Sequence, residues 1–435
     1  MEQEKVKKQL RYNPYVPEFL RLKGTVLPHV IVQTIIVTLI STVVVILFEL
    51  TDIKLSVSKA PPTSISNIFT QIIGIVVGLL LTYRTNTAYD RYWEGRKLWS
   101  TMVVQIRNFT RYMWIGVRED GKKKGADPHG QAKPEIVIEK RTALNLLLGF
   151  TVAVKHYLRE EPGYHYKDLE NLISNIRSSL PEFSSANNYE SDITHAQKSG
   201  WYTRLFRRKL KPHEREKEDH SHAEQNLPLD ITLYLSSYID TQVKNSSIDV
   251  PITNQLLASL NGLCDCLSQF ERILRSPIPL AYSIHLSQTV WIYCLSLPFF
   301  LVSGTRWATI IVVFFVALIL FGLERIGAEI ENPFGYDAND LDLDDFCSHI
   351  KRELDTIAAH PPPTIQDWIY TPENLPFENK EINALDVANL DIDDVRSLLS
   401  VGSNPEIGRD SFDVQEGEGE TSEKNKNNVT VDVGE

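Results

Sequence analysis

Thr70–Met102 reads TQIIGIVVGLLLTYRTNTAYDRYWEGRKLWSTM. Its opening part, Thr70–Leu81, is apolar enough for a membrane interior, yet no Pro separates it from a run crowded with Arg, Asp, Glu, Tyr and Trp. Gly74, Gly78 and Gly95 are isolated, so the sequence predicts one continuous helix over 68–99. At 1.5 Å per residue that helix is about 45 Å long, enough to leave a bilayer and continue for several turns outside it. Ile75, Leu79 and Tyr83 recur every fourth residue and form one apolar stripe. Gly74 and Gly78 make a G-x-x-x-G on the neighbouring line, where a second helix can come close. Periodicity leaves two readings of the stripe open: contact with lipid or another helix, or a pore-lining row that gates by dewetting. The polar part mixes Arg84, Asp90, Arg91, Glu94, Arg96 and Lys97 with Tyr89, Trp93 and Trp99. Its acids nearly cancel its bases, which argues against a nucleic-acid surface and for a helix packed among other helices with its ions paired.

Outward from this stretch, the apolar residues of the 435-residue chain gather in four segments, and the rest is strongly polar with a net charge of -11. The expected spans are Thr25–Leu50, Ile65–Tyr83, Tyr282–Val302 and Trp307–Gly327, the last two joined by Ser303–Arg306 alone and therefore an antiparallel pair. The first is rich in β-branched residues, but an open sheet edge is untenable in lipid, so it reads as a helix. Arg141–Glu161 has too short an apolar core between charges to cross, and reads as a buried helix of a bundle outside the membrane. The organisation expected is a basic segment 1–24, spans within 25–83, a helical cytosolic region 84–281 with mobile loops at 116–135 and 187–227, spans within 282–327, an acidic motif with helices over 328–400, and a disordered acidic tail 401–435. Basic residues beside the spans, at the N-terminus and over Arg84–Lys97, place both termini in the cytosol, with the plasma membrane preferred over an organelle membrane. The first apolar run is too long for a secretory leader. Cys264, Cys266, Cys294 and Cys347 show neither disulfide-framework nor metal spacing, in keeping with a reducing compartment.

Three stretches together carry a family resemblance: YRTNTAYDRYWEGRKLWS, SPIPLAYSIHLSQTVWIYCLSLPF and GLERIGAEIENPFGYDANDLDLDDFC, in that order and preceded by LRLKGTVLPHV. They resemble the bestrophin family, in its fungal, plant and bacterial branch, over roughly 11–360. The resemblance implies an all-α membrane protein with four transmembrane helices and a large helical cytosolic domain in each subunit, five copies surrounding one pore. It puts the pore neck at Ile75, Leu79 and Tyr83, the stripe already found by periodicity, and makes Arg84, Asn86, Tyr89, Asp90, Arg91, Trp93, Glu94 and Arg96 the structural motif beside it. Tyr83 stands where many members carry Phe. A second, cytosolic constriction falls at Ile252, whose other reading is an ordinary first-turn residue after Pro251.

In animal bestrophins the acidic segment clasps calcium; by the resemblance Asp337 and Asp340 would supply carboxylates and Glu329 and Asn332 carbonyl oxygens. Here Ala338, Asn339 and Leu341 interrupt the acidic run, EF-hand spacing is absent, and the segment reads instead as a turn capping the next helix, with no cofactor required. The expected function is a passive channel for chloride and similar small anions, with the lipid bilayer and four further copies as partners and no nucleic acid. A membrane scaffold or regulator of other transporters, and a cation-permeable channel of the same fold, stay open as alternatives. No histidine cluster, nucleophile elbow or phosphate loop supports an enzyme.

Overall fold

A computed structural model describes residues 24–50, 65–119, 133–161, 163–176, 226–377 and 382–401. The basic N-terminal segment up to residue 23, most of the two expected loops and the acidic tail beyond Val401 lie outside the described residues. The chain divides into two units, 1–360 and 361–435.

In the first unit α1 (Leu27–Leu50), α2 (Ile65–Gly116), α6 (Leu280–Thr305) and α7 (Ala308–Glu329) are the four helices long and apolar enough to cross a membrane among the described residues. α1 stays helical despite its β-branched residues because threonine hydroxyls are satisfied along the helix: Thr34, Thr38 and Thr42 donate to the carbonyls of Val30, Thr34 and Thr38 at 3.0, 2.8 and 2.8 Å. Its inner line, Val30, Thr34, Val37, Ser41 and Val45, packs on α6 and α7, and Ile35, Leu39 and Val43 face outward. α6 and α7 meet at a turn shorter than the expected connector: only Arg306, with φ 45°, and Trp307 separate them. Val77 and Leu81 of α2 join Val290, Val313, Ala317 and Phe321 in the core of this layer.

α2 is longer than the sequence suggested. It runs unbroken for 52 residues, about 78 Å at 1.5 Å per residue, through the change of composition and on to Gly116. Thr82, Thr85 and Thr87 at the junction bond back to the carbonyls of Gly78, Leu81 and Tyr83, so the first polar turn leaves no hydroxyl to compete for another conformation. Beyond it Leu98, Met102, Ile106, Phe109 and Met113 form a buried stripe against α5 (Val250–Arg275), and this stripe keeps the helix going.

Around that stripe stand α3 (Pro134–Leu158), α4 (Leu227–Lys244) and α8 (Leu343–Ala358). α3 carries Pro134 in its first turn and buries Leu144, Leu147, Phe150 and Val154; it is the centre of the bundle, enclosed by α4 and α8. Its Lys140 is wholly buried, but its ammonium donates to the Trp114 carbonyl and to Glu119, both at 2.9 Å. The second unit contains α9 (Ile365–Trp368), α10 (Ala384–Val387) and α11 (Ile392–Val401). Asp367 accepts from the Thr364 N–H at 2.7 Å to start the first of these, and Asn383 caps the second through the Asp386 N–H.

Candidate functional site

Along α2 the side chains separate into a buried line and an open one. Val77 and Leu81 are buried at 0% and 1%, whereas Ile75, Leu79 and Tyr83 are 65%, 65% and 64% exposed. The structure therefore puts the three residues of the apolar stripe on one face that the described residues leave largely open. The two glycines beside it differ. A Cβ at Gly74 would lie 2.8 Å from the Tyr293 hydroxyl of α6, so the missing side chain seats that ring, while Gly78 faces open space within the chain. The Tyr83 ring meets Tyr282 edge to face with centroids 5.8 Å apart, and the Tyr282 hydroxyl donates to the Leu80 carbonyl at 3.0 Å.

The motif after Tyr83 splits along the same line. Arg84 is buried, its stem against Gly327 and its guanidinium 3.9 Å from Glu331. Arg91 donates to the carbonyls of Glu331 at 3.0 Å, Ile273 at 2.6 Å and Ser276, closing the C-terminus of α5 and pinning the chain just after α7. Glu331 also accepts the Ile278 N–H, so this one residue collects α2, the start of α6 and the exit of α7. Glu94 pairs with Arg272, and Arg96 lies over the Phe346 ring at 4.7 Å. Trp99 is buried between Phe270 and Phe346. Asn86, Tyr89, Asp90, Trp93 and Lys97 face outward from the single chain. Burial inside one chain reaches only half of the helix, because the other elements approach it from one side. Continuing the apolar stripe at steps of three, four or seven, Asn86, Asp90, Trp93, Lys97, Val104, Arg111 and Ile115 make one exposed row down the helix.

Ile252 lies in the first turn of α5, half-buried, with its methyl over Gly116. A Cβ at Gly116 would come within 2.6 Å of it, so the glycine sets how closely α5 approaches the far end of α2.

The acidic motif forms a turn held by its own hydrogen bonds. Asp340 already accepts the Asp337 N–H at 2.7 Å, and its carboxylate fills the space where Gly335 would carry a side chain. Burial, then the nearby Asp337 and Glu329 carboxylates, push its pKa up to about 6. Glu329 accepts from Arg325 and from the Asn339 amide, both at 3.2 Å, and the Asn332 side chain faces the Phe334 N–H. The Asn339 amide also donates to the Gly24 carbonyl at 3.1 Å. Asp342 caps α8 by accepting the Asp345 N–H. Among the described residues no three His, Cys, Asp or Glu side chains stand close enough to hold a metal ion.

One cluster escaped the sequence. The Lys155 ammonium, buried at the end of α3, meets Asp168 and, at 2.8 Å, Asp344; His156 meets Glu161 at 2.5 Å and Asp168 at 3.1 Å; Arg159 meets Asp344 at 3.0 Å and covers the Tyr336 ring; and the Tyr336 hydroxyl donates to Glu161. Burial alone would lower the His156 pKa, but its two carboxylate partners raise it above the ordinary value; Asp168 falls well below the carboxylate range for the reciprocal reason, against its own desolvation. Asp344 and Tyr336 are far from α3 in sequence, so no local spacing announces the cluster.

The comparisons with known proteins fit this arrangement. The family of bacterial/fungal bestrophin proteins matches residues 8–356. A voltage-dependent anion channel-forming protein of Synechocystis is 39% identical over 288 residues, 66% of this chain and 76% of that protein. One of the same description from Nostoc is 36% identical over 342 residues, 79% of this chain and 91% of its own. The crystal structure of a bacterial bestrophin homologue from Klebsiella pneumoniae superposes with a TM-score of 0.53 over 76% of this chain and 100% of that one, at 22% identity, a likeness of fold. With the four apolar helices, the long helix that outruns the membrane and the acidic turn in one chain, and with a family match over most of its length, the protein belongs to the bestrophin family.

Proposed function

We propose that the protein is an anion channel in which five copies gather α2 around an axis, with Ile75, Leu79 and Tyr83 as the neck. The observation that carries this reading is the exposed row of α2: an apolar face on a helix whose opposite face buries Val77, Leu81, Arg84 and Ala88, continuing as polar and aromatic residues beyond the membrane layer. Two relatives described as anion channel-forming supply the ion class. Anions pass a ring of aliphatic and phenolic side chains by shedding part of their water, and Tyr83 adds a hydroxyl that can donate to them. Ile252 forms the second constriction, and calcium is not needed, a reading supported by the Asp340 carboxylate already accepting the Asp337 N–H. Both termini are cytosolic and the plasma membrane is the site of action.

Asp90 is the observation that favours cations: it is exposed on the row two turns past Tyr83, and among the described residues no base pairs with it. Lys97, two turns further, carries the opposite sign. Reversal potentials of the purified protein in asymmetric KCl decide between them. An anion-directed reversal with increased conductance in Tyr83→Ala is expected. A cation-directed reversal overturns the selectivity, absence of flux from intact assemblies favours a scaffold, and an unchanged conductance in Tyr83→Ala removes this residue from the neck.

A further inference from the structure

Near its far end the exposed row of α2 carries a charge that nothing described in the chain cancels. Near this end the other cations are neutralised in turn: Arg107 by Glu353, Arg118 by Asp249 at 2.9 Å, Lys140 by Glu119 at 2.9 Å and Arg141 by Asp355 at 2.7 Å. Arg111 is on the same row as Tyr83, about 42 Å further along the helix for the residues between 83 and 111. Among the described residues no carboxylate stands within ion-pair distance of it. Its guanidinium instead lies 4.8 Å from the centroid of the Tyr112 ring, which holds the group in place and leaves its charge intact. It borders an open hollow of about 300 Å³ whose other walls are Tyr112, Ile115, Gly116 and Ile252. Three of those walls are apolar or lack a side chain, so the hollow offers little competing polarity.

We propose that Arg111 and this hollow form an anion-collecting site at the end of the pathway remote from the membrane, concentrating small hydrated anions beside Ile252. The proposal rests on the channel reading. A fixed cation in a concavity with apolar walls focuses the field and raises the local concentration of counter-ions, and copies of Arg111 around one axis add their fields. The neck sets which ions cross; Arg111 sets how often an anion arrives from its side.

Single-channel currents of the full chain in planar bilayers test this, with wild type, Arg111→Gln and Arg111→Lys. At about 0.01 M KCl, where a charge acts over ~30 Å, Arg111→Gln is expected to lower the anion current entering from the Arg111 side several-fold and leave the opposite current near wild type. At about 1 M, where that reach is ~3 Å, the two proteins should conduct alike. Arg111→Lys should retain most of the low-salt current. Wild type alone gives an independent reading: its current from the Arg111 side should fall less than proportionally as salt is lowered. A proportional fall in wild type, an Arg111→Gln current equal to wild type at low salt, or a loss independent of salt overturns the site while leaving the channel intact. Absence of any wild-type anion current overturns the channel reading and the site with it.

Discussion

His156 is held between two carboxylates and against the ring of Tyr166, whose centroid is 3.9 Å away, and only the imidazolium can donate from both nitrogens. Its folded pKa therefore stands above the ordinary 6.5. A group raised in this way stabilises the fold fully below about 6.5 and loses that contribution as the pH climbs through the folded value. Glu161, Asp168 and Asp344, all depressed, act in the opposite sense: they stabilise above about 4 and lose it on acidification. With Lys155 and Arg159 facing the same carboxylates, the cluster should be strongest in the mildly acidic range. The thermal midpoint of the detergent-solubilised protein should fall on the alkaline side of that range. His156→Gln should lower the maximum by on the order of 1–2 kcal/mol and flatten the alkaline limb. A limb of unchanged slope would assign the titration to another group.

Among the helices, the packing of α2 on α5 organises the most structure, and Arg91 is its fastener. The side chain satisfies three carbonyls at the ends of two other elements, which a lysine cannot do, since its single ammonium lacks the planar fork. Arg91→Lys should therefore destabilise by about 1–3 kcal/mol and Arg91→Ala by more, read as detergent unfolding midpoints. Wild-type stability in the lysine variant would show that water replaces the bonds. The start of α2 was legible in the sequence because Ile75, Leu79 and Tyr83 repeat every fourth residue and no breaker follows them. Its length was not, because past Trp99 the buried residues Met102, Ile106, Phe109 and Met113 alternate with Arg and Gln and resemble a soluble amphipathic segment, which a search for membrane spans passes over. Which of the motif's charges turn inward was also illegible: their partners, Ile273, Glu331 and Phe346, arrive from sequence positions far away.

Across the first unit, the Asn339 amide joins the start of α1 at Gly24 to the end of α7 at Glu329, a tie between the first and last membrane helices made by a neutral group. The interrupted acidic run pointed to a turn in place of a cation site, and the interrupting residue itself proves to be the bridge. Wild-type anion flux and thermal midpoint should be the same in calcium and in chelator. Asn339→Asp, which places a further carboxylate against Glu329, should lower the midpoint in chelator and recover part of it with calcium. A calcium-dependent wild type would show that the donors rearrange around the ion. The unbroken α2 has a mechanical consequence of its own. A helix without Pro, bulge or loop between Ile65 and Gly116 behaves as a crankshaft: a torque applied where α5 and α8 grip its far end reaches Tyr83 in the same sense, so under the proposed channel reading a push made far from the membrane layer would turn the neck.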